Sequence, residues 1–169
     1  AVLAVAAGRV FGLSLEACAE GVRKLQLTRG RLEHKVVRGL QILDDTYNAN
    51  PASVRAALDV LREAPGSGRR WVILGDMLEL GAQTEAAHRE VGAWVAALPV
   101  AGLLAVGPAM RLAAESARAA GCPEVATFAS PEGAVAHVRS HLVRGDRVLI
   151  NPYVIGRGGN RGAPQCGAG

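Results

Sequence analysis

Short apolar runs, each followed by a segment of helical spacing, repeat along most of this sequence. Trp71-Val72-Ile73-Leu74 stops at Gly75, and Leu103-Leu104-Ala105-Val106 stops at Gly107. Val125 to Phe128 and Arg147-Val148-Leu149-Ile150 continue the series. Apolar runs of this length without polar alternation suit strands buried on both faces. Between them Val54, Ala57, Leu58 and Leu61 fall at i, i+3, i+4, i+7, one face of a helix. Val91, Trp94, Val95 and Leu98 form a second stripe, with Thr84 as the expected cap. A helix is predicted from Ala109 to Ala120, and another from Pro131 with Val135, Val138 and Leu142 facing inward. Strands alternating with helices predict an α/β fold, a mostly parallel sheet with helices on both faces. Upstream, residues 32 to 45 hold two β-like runs around Arg38-Gly39 and predict a hairpin or a strand with a tight bend. Residues 1 to 28 read as helical, with Ser14 capping a stripe of Leu15, Cys18, Val22 and Leu25.

The 169 residues suffice for one well-cored domain plus a fragment. No apolar stretch is long enough for a membrane-spanning helix. The start, Ala-Val-Leu, carries neither Met nor a basic segment, so the expectation is a chain that begins inside a larger cytoplasmic protein. Cys18, Cys122 and Cys166 are isolated, which suggests neither a disulfide framework nor a metal site. The nineteen basic residues are all Arg except Lys24 and Lys35, and the net charge is +4. They are dispersed and not interleaved with aromatics, which argues against nucleic acid and leaves an anionic nucleotide as a fitting partner.

Polar groups gather where apolar runs end. Ile42-Leu43 runs into Asp44-Asp45-Thr46-Tyr47-Asn48-Ala49-Asn50-Pro51, a strand, a polar loop and a helix start. Asn50 suits an N-cap and Pro51 the first helical position. The carboxyl ends of strands in open α/β sheets are where ligands bind, although solvated aspartates in an Asx turn would give the same pattern. Arg31 precedes the first strand. Gly75-Asp76-Met77-Leu78-Glu79-Leu80-Gly81 follows a later one, and Gly75 permits close approach of a ligand or a backbone. Asp76 and Glu79 suit either an ammonium ligand or the start of the next helix. His88 suits either a ligand contact or a structural hydrogen bond.

The stretch Asp44 to Pro51, followed by Leu74 to Gly81 and then His88, resembles the C-terminal part of a Mur ligase, over roughly residues 1 to 150. The nearest resemblance is to the members that join D-alanyl-D-alanine to UDP-N-acetylmuramoyl-tripeptide. It implies a Rossmann-like C-terminal domain over 29–150, preceded by 1–28 as the tail of a central ATPase domain. It also implies ATP and Mg²⁺ as cofactors, with activation of the tripeptide carboxylate as an acyl phosphate before the dipeptide amine attacks. Under the same resemblance Arg31 faces the nucleotide and Asp45 binds the ribose hydroxyls, with Asn48 and Asn50 shaping that wall. Gly75, Asp76, Glu79 and His88 fall on the substrate side. No catalytic residue and no metal ligand is assigned to this stretch. A Gly-x-x-x-x-Gly-Lys-Ser/Thr loop is absent, so the chain alone is expected to be inactive.

Three alternatives share the fold. A phospho-acceptor receiver domain needs a lysine near the C-terminus, and none follows Lys35. A non-enzymatic α/β binding module and a folyl-polyglutamate-type ligase are the others. Residues 151–169 depart from the family: six glycines and no helical stripe replace an expected Lys-Gly-Ser-Arg turn and closing helix. A reading-frame shift or an artificial junction accounts for such a tail. It is expected to be irregular and to leave the last strand without cover.

Overall fold

The computed structural model describes residues 2–24, 30–47 and 49–151. A six-stranded sheet has the order β1-β2-β6-β3-β4-β5. Strands β1 (Glu33–Val37) and β2 (Leu40–Asp44) form the predicted hairpin, the antiparallel pair in the sheet. Its turn residues Arg38 and Gly39 have φ of 52° and 84°, the left-handed pair that matches strand twist in a two-residue hairpin. Strands β3 (Arg70–Gly75), β4 (Gly102–Val106), β5 (Glu124–Phe128) and β6 (Arg147–Ile150) are parallel to β2. β6 lies between β2 and β3, so the chain runs outward through β4 and β5 and then returns to the middle.

Alternate residues of the strands face two different cores. Val72, Leu74, Leu103, Ala105 and Leu149 pack against α3 (Pro51–Glu63), α4 (Thr84–Ala96) and α5 (Met110–Ala119). Trp71, Ile73, Leu104, Val106, Val148 and Ile150 face the other way, where α6 (Pro131–His141) lies. The predicted stripe of α3 is buried in full. Its start is a capping box: Ser53 N–H donates to Asn50 Oδ1 at 2.9 Å, and Asn50 N–H donates to Ser53 Oγ at 3.1 Å.

Three expectations need correction. Thr84 does not cap α4; it is the first helical residue, and its hydroxyl donates backward to Gly81 O at 2.8 Å. Val135 does not face inward: it is 40% exposed, and Ala134 takes the buried place on α6. Nor does β6 lose its cover, since all four of its residues are buried. Among the described residues a groove of about 500 Å³ runs between α6 and the hairpin, lined by Val37, Leu40 and Ile42 and floored in part by Val148 and Ile150 of β6. The tail from 152 onward lies outside the described residues.

Helices α1 (Val2–Val10) and α2 (Leu15–Arg23) form a hairpin of their own, with the predicted Ser14 cap accepting from Ala17 N–H. Leu3, Val10 and Phe11 are each more than four-fifths exposed. Leu25 of the predicted stripe lies outside the described residues. None of the described helices is long and apolar enough to cross a membrane.

Gly92 governs how α4 meets α5. A Cβ there would sit 2.1 Å from the Ala113 carbonyl oxygen, so the two backbones touch without a side chain between them. Gly92→Ala gains about 1 kcal/mol of helix propensity. Pushing two packed helices apart costs more, and a net loss of about 1–3 kcal/mol is expected. Urea unfolding of the variant should show a lower midpoint with an unchanged slope.

Candidate active-site wall

The carboxyl ends of β2, β3 and β6 share one edge of the sheet, and polar residues follow each of them. After β2, Asp44 and Asp45 diverge. The Asp44 carboxylate turns back to the hairpin, where it accepts from Lys35 Nζ, from Thr46 N–H at 3.1 Å and from Thr46 Oγ1 at 2.6 Å. Its cationic partner is therefore Lys35. Asp45 takes the other direction. Its Oδ1 accepts Leu32 N–H at 3.2 Å, and its Oδ2 accepts Asn151 Nδ2 at 2.9 Å. Its backbone N–H donates to Ile150 O at 2.8 Å, so the end of β6 clamps the Asp45 turn from two sides.

The segment before β1 locks into the same turn. Tyr47 N–H donates to Gly30 O at 2.8 Å. Gly30 has φ of +72°, and a Cβ there would lie 2.9 Å from Thr46 Oγ1, so glycine is required for both conformation and space. This interlock brings Arg31 beside Asp45. The Arg31 guanidinium lies over the Tyr47 ring, 4.2 Å from its centroid, and both side chains are exposed. Asn48 lies outside the described residues. Asn50 has its side-chain oxygen committed to the α3 cap.

The second predicted cluster forms a separate lobe of the edge. Gly75 is the buried last residue of β3. Asp76 Oδ1 accepts Met110 N–H at the start of α5, at 2.7 Å. Gly107 makes room for that carboxylate, since a Cβ there would lie 2.6 Å from it. His88 is fully buried inside α4. Its Nδ1 lies 2.6 Å from Thr84 O and its Nε2 accepts Met77 N–H at 3.1 Å, which fixes the tautomer with the proton on Nδ1. Both ring nitrogens are thus used on the loop and the helix, and His88 reaches the site through the loop backbone. Glu79 is exposed, at φ of 62°. Sequence reasoning missed Lys35, Tyr47 and Asn151. Asn151 carried a usable signal, a polar residue directly after a buried strand.

The family model for the Mur ligase glutamate ligase domain matches residues 30–153. The chain belongs to the Mur ligase family. This Mur ligase domain is 45% identical over 94 residues to the UDP-N-acetylmuramoyl-tripeptide–D-alanyl-D-alanine ligase of Bacillus subtilis, covering 55% of this chain and 21% of that one. It is 33% identical to the ligase of the same name from Mycobacterium leprae, covering 89% of this chain and 32% of that one. The chain thus spans about a third or less of the length of these relatives. Among solved structures, MurF from Acinetobacter baumannii superposes with a TM-score of 0.71 at 30% identity, over 89% of this chain and 32% of that one. MurF from Thermotoga maritima, solved with ADP, has a TM-score of 0.71 at 22% identity and so shares the fold.

Within the Mur ligase domain the two adjacent aspartate carboxyls are shifted in opposite directions. Burial pushes the Asp44 carboxyl up, but the hydrogen bonds from Lys35 and Thr46 outweigh it and hold it below the usual carboxylate range. Burial dominates at Asp45 and raises it; the Leu32 and Asn151 hydrogen bonds and the Arg31 charge offset this in part, while the Asp44 charge adds to it. Asp44 therefore contributes stability that is present above its unfolded-state value and is lost as pH falls through its lower folded value. Asp45 has the opposite sign: its ionised form is held at a cost to the fold, which grows as pH rises through its folded value. Lys35→Met should lower stability at neutral pH by about 1 kcal/mol, because Lys35 is partly exposed and screened. Denaturant unfolding against pH should show variant and native chains converging in strong acid, once Asp44 is protonated in both.

Proposed function

We propose that this chain is the closing domain of an ATP-dependent ligase that adds D-alanyl-D-alanine to UDP-N-acetylmuramoyl-tripeptide, a cytoplasmic step in making peptidoglycan precursors. The observation that carries the reading is the wall of Arg31, Tyr47, Asp45 and Asn151 at the carboxyl ends of β2 and β6. The names of the relatives supply the substrates, and the T. maritima ligase solved with ADP supports nucleotide use.

The residues fit a nucleotide. Each Asp45 oxygen accepts one hydrogen bond from the protein. A carboxylate has about four acceptor sites, which leaves capacity for a ribose diol. The Arg31 guanidinium stays charged, lies over the Tyr47 ring, and offers its fork of donors to phosphate oxygens. ATP with Mg²⁺ supplies the activation of the tripeptide carboxylate, and its phosphate cradle belongs to residues outside this chain. On the second lobe, Asp76 Oδ1 is tied to α5, and the charge of its carboxylate remains to attract the dipeptide ammonium. Glu79 adds negative charge near the rim. His88 keeps the Asp76 loop in register. The contribution of the whole domain is orientation: two loops on one rigid sheet edge bring nucleotide and dipeptide contacts together. The exposed Leu3, Val10 and Phe11 support residues 1–28 as part of a neighbouring domain.

In a full-length ligase containing this domain, Asp45→Ala should raise the KM for ATP about ten- to a hundredfold, the effect of one charge-assisted contact. An unchanged KM would confine Asp45 to its turn. Asp76→Asn keeps the carbonyl that accepts Met110 N–H and removes the charge. It should raise the KM for D-alanyl-D-alanine far more than the KM for ATP. Equal effects on both, with a lower melting temperature, would mark Asp76 as purely structural.

A further inference from the structure

A second cleft opens where β6 begins, at the opposite end of that strand from Asp45. It encloses about 860 Å³ between the hairpin, the end of α3 and the Pro65–Gly68 loop, a volume typical of small-molecule sites. Arg147, the first residue of β6, lines it and is only 6% exposed. Its Nη1 donates to Gly68 O at 3.0 Å. Its neighbour Asp146 commits its carboxylate to Arg69, Trp71 and Val143 N–H. Glu63, on the rim, pairs with Arg62. Among the described residues Arg147 forms no ion pair. A guanidinium this buried is costly to hold without a counter-charge.

The facing loop is shaped around that guanidinium. Gly66 has φ of +114°, and a Cβ there would lie 2.1 Å from Arg147 Nη2. The N–H groups of Gly66, Ser67 and Gly68 donate to no other described residue. A planar fork of donors beside free backbone N–H groups is the arrangement that binds phosphate or carboxylate oxygens. Leu43 and Val60 line part of the cleft with hydrocarbon, and His34 and Gln41 of the hairpin add polar groups to it.

We propose that this cleft binds a small organic anion, with its phosphate or carboxylate head on Arg147 and the Gly66–Gly68 loop and a short hydrocarbon body along Leu43 and Val60. The anion-binding groups of this site, Arg147 and the Gly66–Gly68 loop, touch neither Asp45 nor Asp76; the two regions meet only at Leu32, which lines the cleft and donates its N–H to Asp45.

Titration of the isotope-labelled 169-residue chain by NMR with butyl phosphate, pentanoate and inorganic phosphate tests this. The Gly66–Gly68 amide signals should shift saturably, and butyl phosphate should bind more tightly than inorganic phosphate. The phosphate and carboxylate arms identify the preferred head group. Arg147→Met should weaken binding at least about tenfold, the loss of a charged hydrogen-bonding partner. Ser67→Asp places a carboxylate on an exposed loop beside the guanidinium and should weaken binding as much without lowering the melting temperature. It decides the matter if Arg147→Met does not fold. Absence of saturable shifts at the loop with all three probes, or native affinity in Ser67→Asp, overturns the proposal.

Discussion

The insertion of β6 between β2 and β3 is the constraint on which the rest of the structure depends. Four residues, Arg147 to Ile150, pair with β2 on one side and β3 on the other. The hairpin that carries Asp44 and Asp45 joins the sheet through this strand. The end of β6 also supplies the Ile150 carbonyl and the Asn151 amide that hold Asp45. Its beginning is held by Asp146, a buried carboxylate shared by Arg69, the Trp71 indole and Val143 N–H. A strand that forms late in the sequence thus fixes a site whose named residues lie about a hundred positions earlier. Folding of the site is bound to long-range pairing, and its geometry cannot precede closure of the sheet.

Buried polar groups do similar work at several places. Asp44, Asp45, His88, Asp146, Arg147 and Asn151 are all buried, and each has a hydrogen-bond partner. All six lie at strand ends or beneath loops, where backbone N–H groups lack strand partners. Asp44 ties its turn to the hairpin, His88 ties the Asp76 loop to α4, and Asp146 ties the α6–β6 turn to β3. Loops ordered in this way can present side chains to a ligand without first paying the full entropy of ordering. The unequal states of Asp44 and Asp45 follow from the same wiring. Both are buried, but the former has three donors including an ammonium, whereas the latter has neutral donors and a like charge next to it, offset only in part by Arg31.

Much of the architecture was legible from local pattern. Continuous apolar runs such as Trp71–Leu74 cannot alternate with solvent, so they had to be central strands, and helical stripes such as Val54–Leu61 had to lie between them. Arg38-Gly39 marked the hairpin, and Asn50-Pro51 marked the start of α3, because those turns and caps need those residue types. The tight places were less legible. Val135 and Ala134 both fit an inward face, and the seating of α6 on the sheet put Ala134 into the core beside Phe128, Val138 and Leu142. Thr84 has the composition of a cap, yet the 3-10 turn at Gly81–Gln83 runs directly into α4 and makes Thr84 its first helical residue.

The sequence by itself determined the elements, their order, the family motifs and which residues stand at strand ends. The tertiary structure decided which of those residues meet. Asp44 and Asp45 are adjacent in the chain and equivalent in composition. Alternation along β2 and the position of β6 send one to Lys35 and the other to Asn151. Asp76 and His88 carried the same ambiguity, and the seating of the Asp76 loop between α4 and the start of α5 assigned their hydrogen bonds. Such pairings join residues from 9 to 106 positions apart, and nothing in local periodicity encodes them. They follow from which strand lies beside which, and that is a property of the closed sheet.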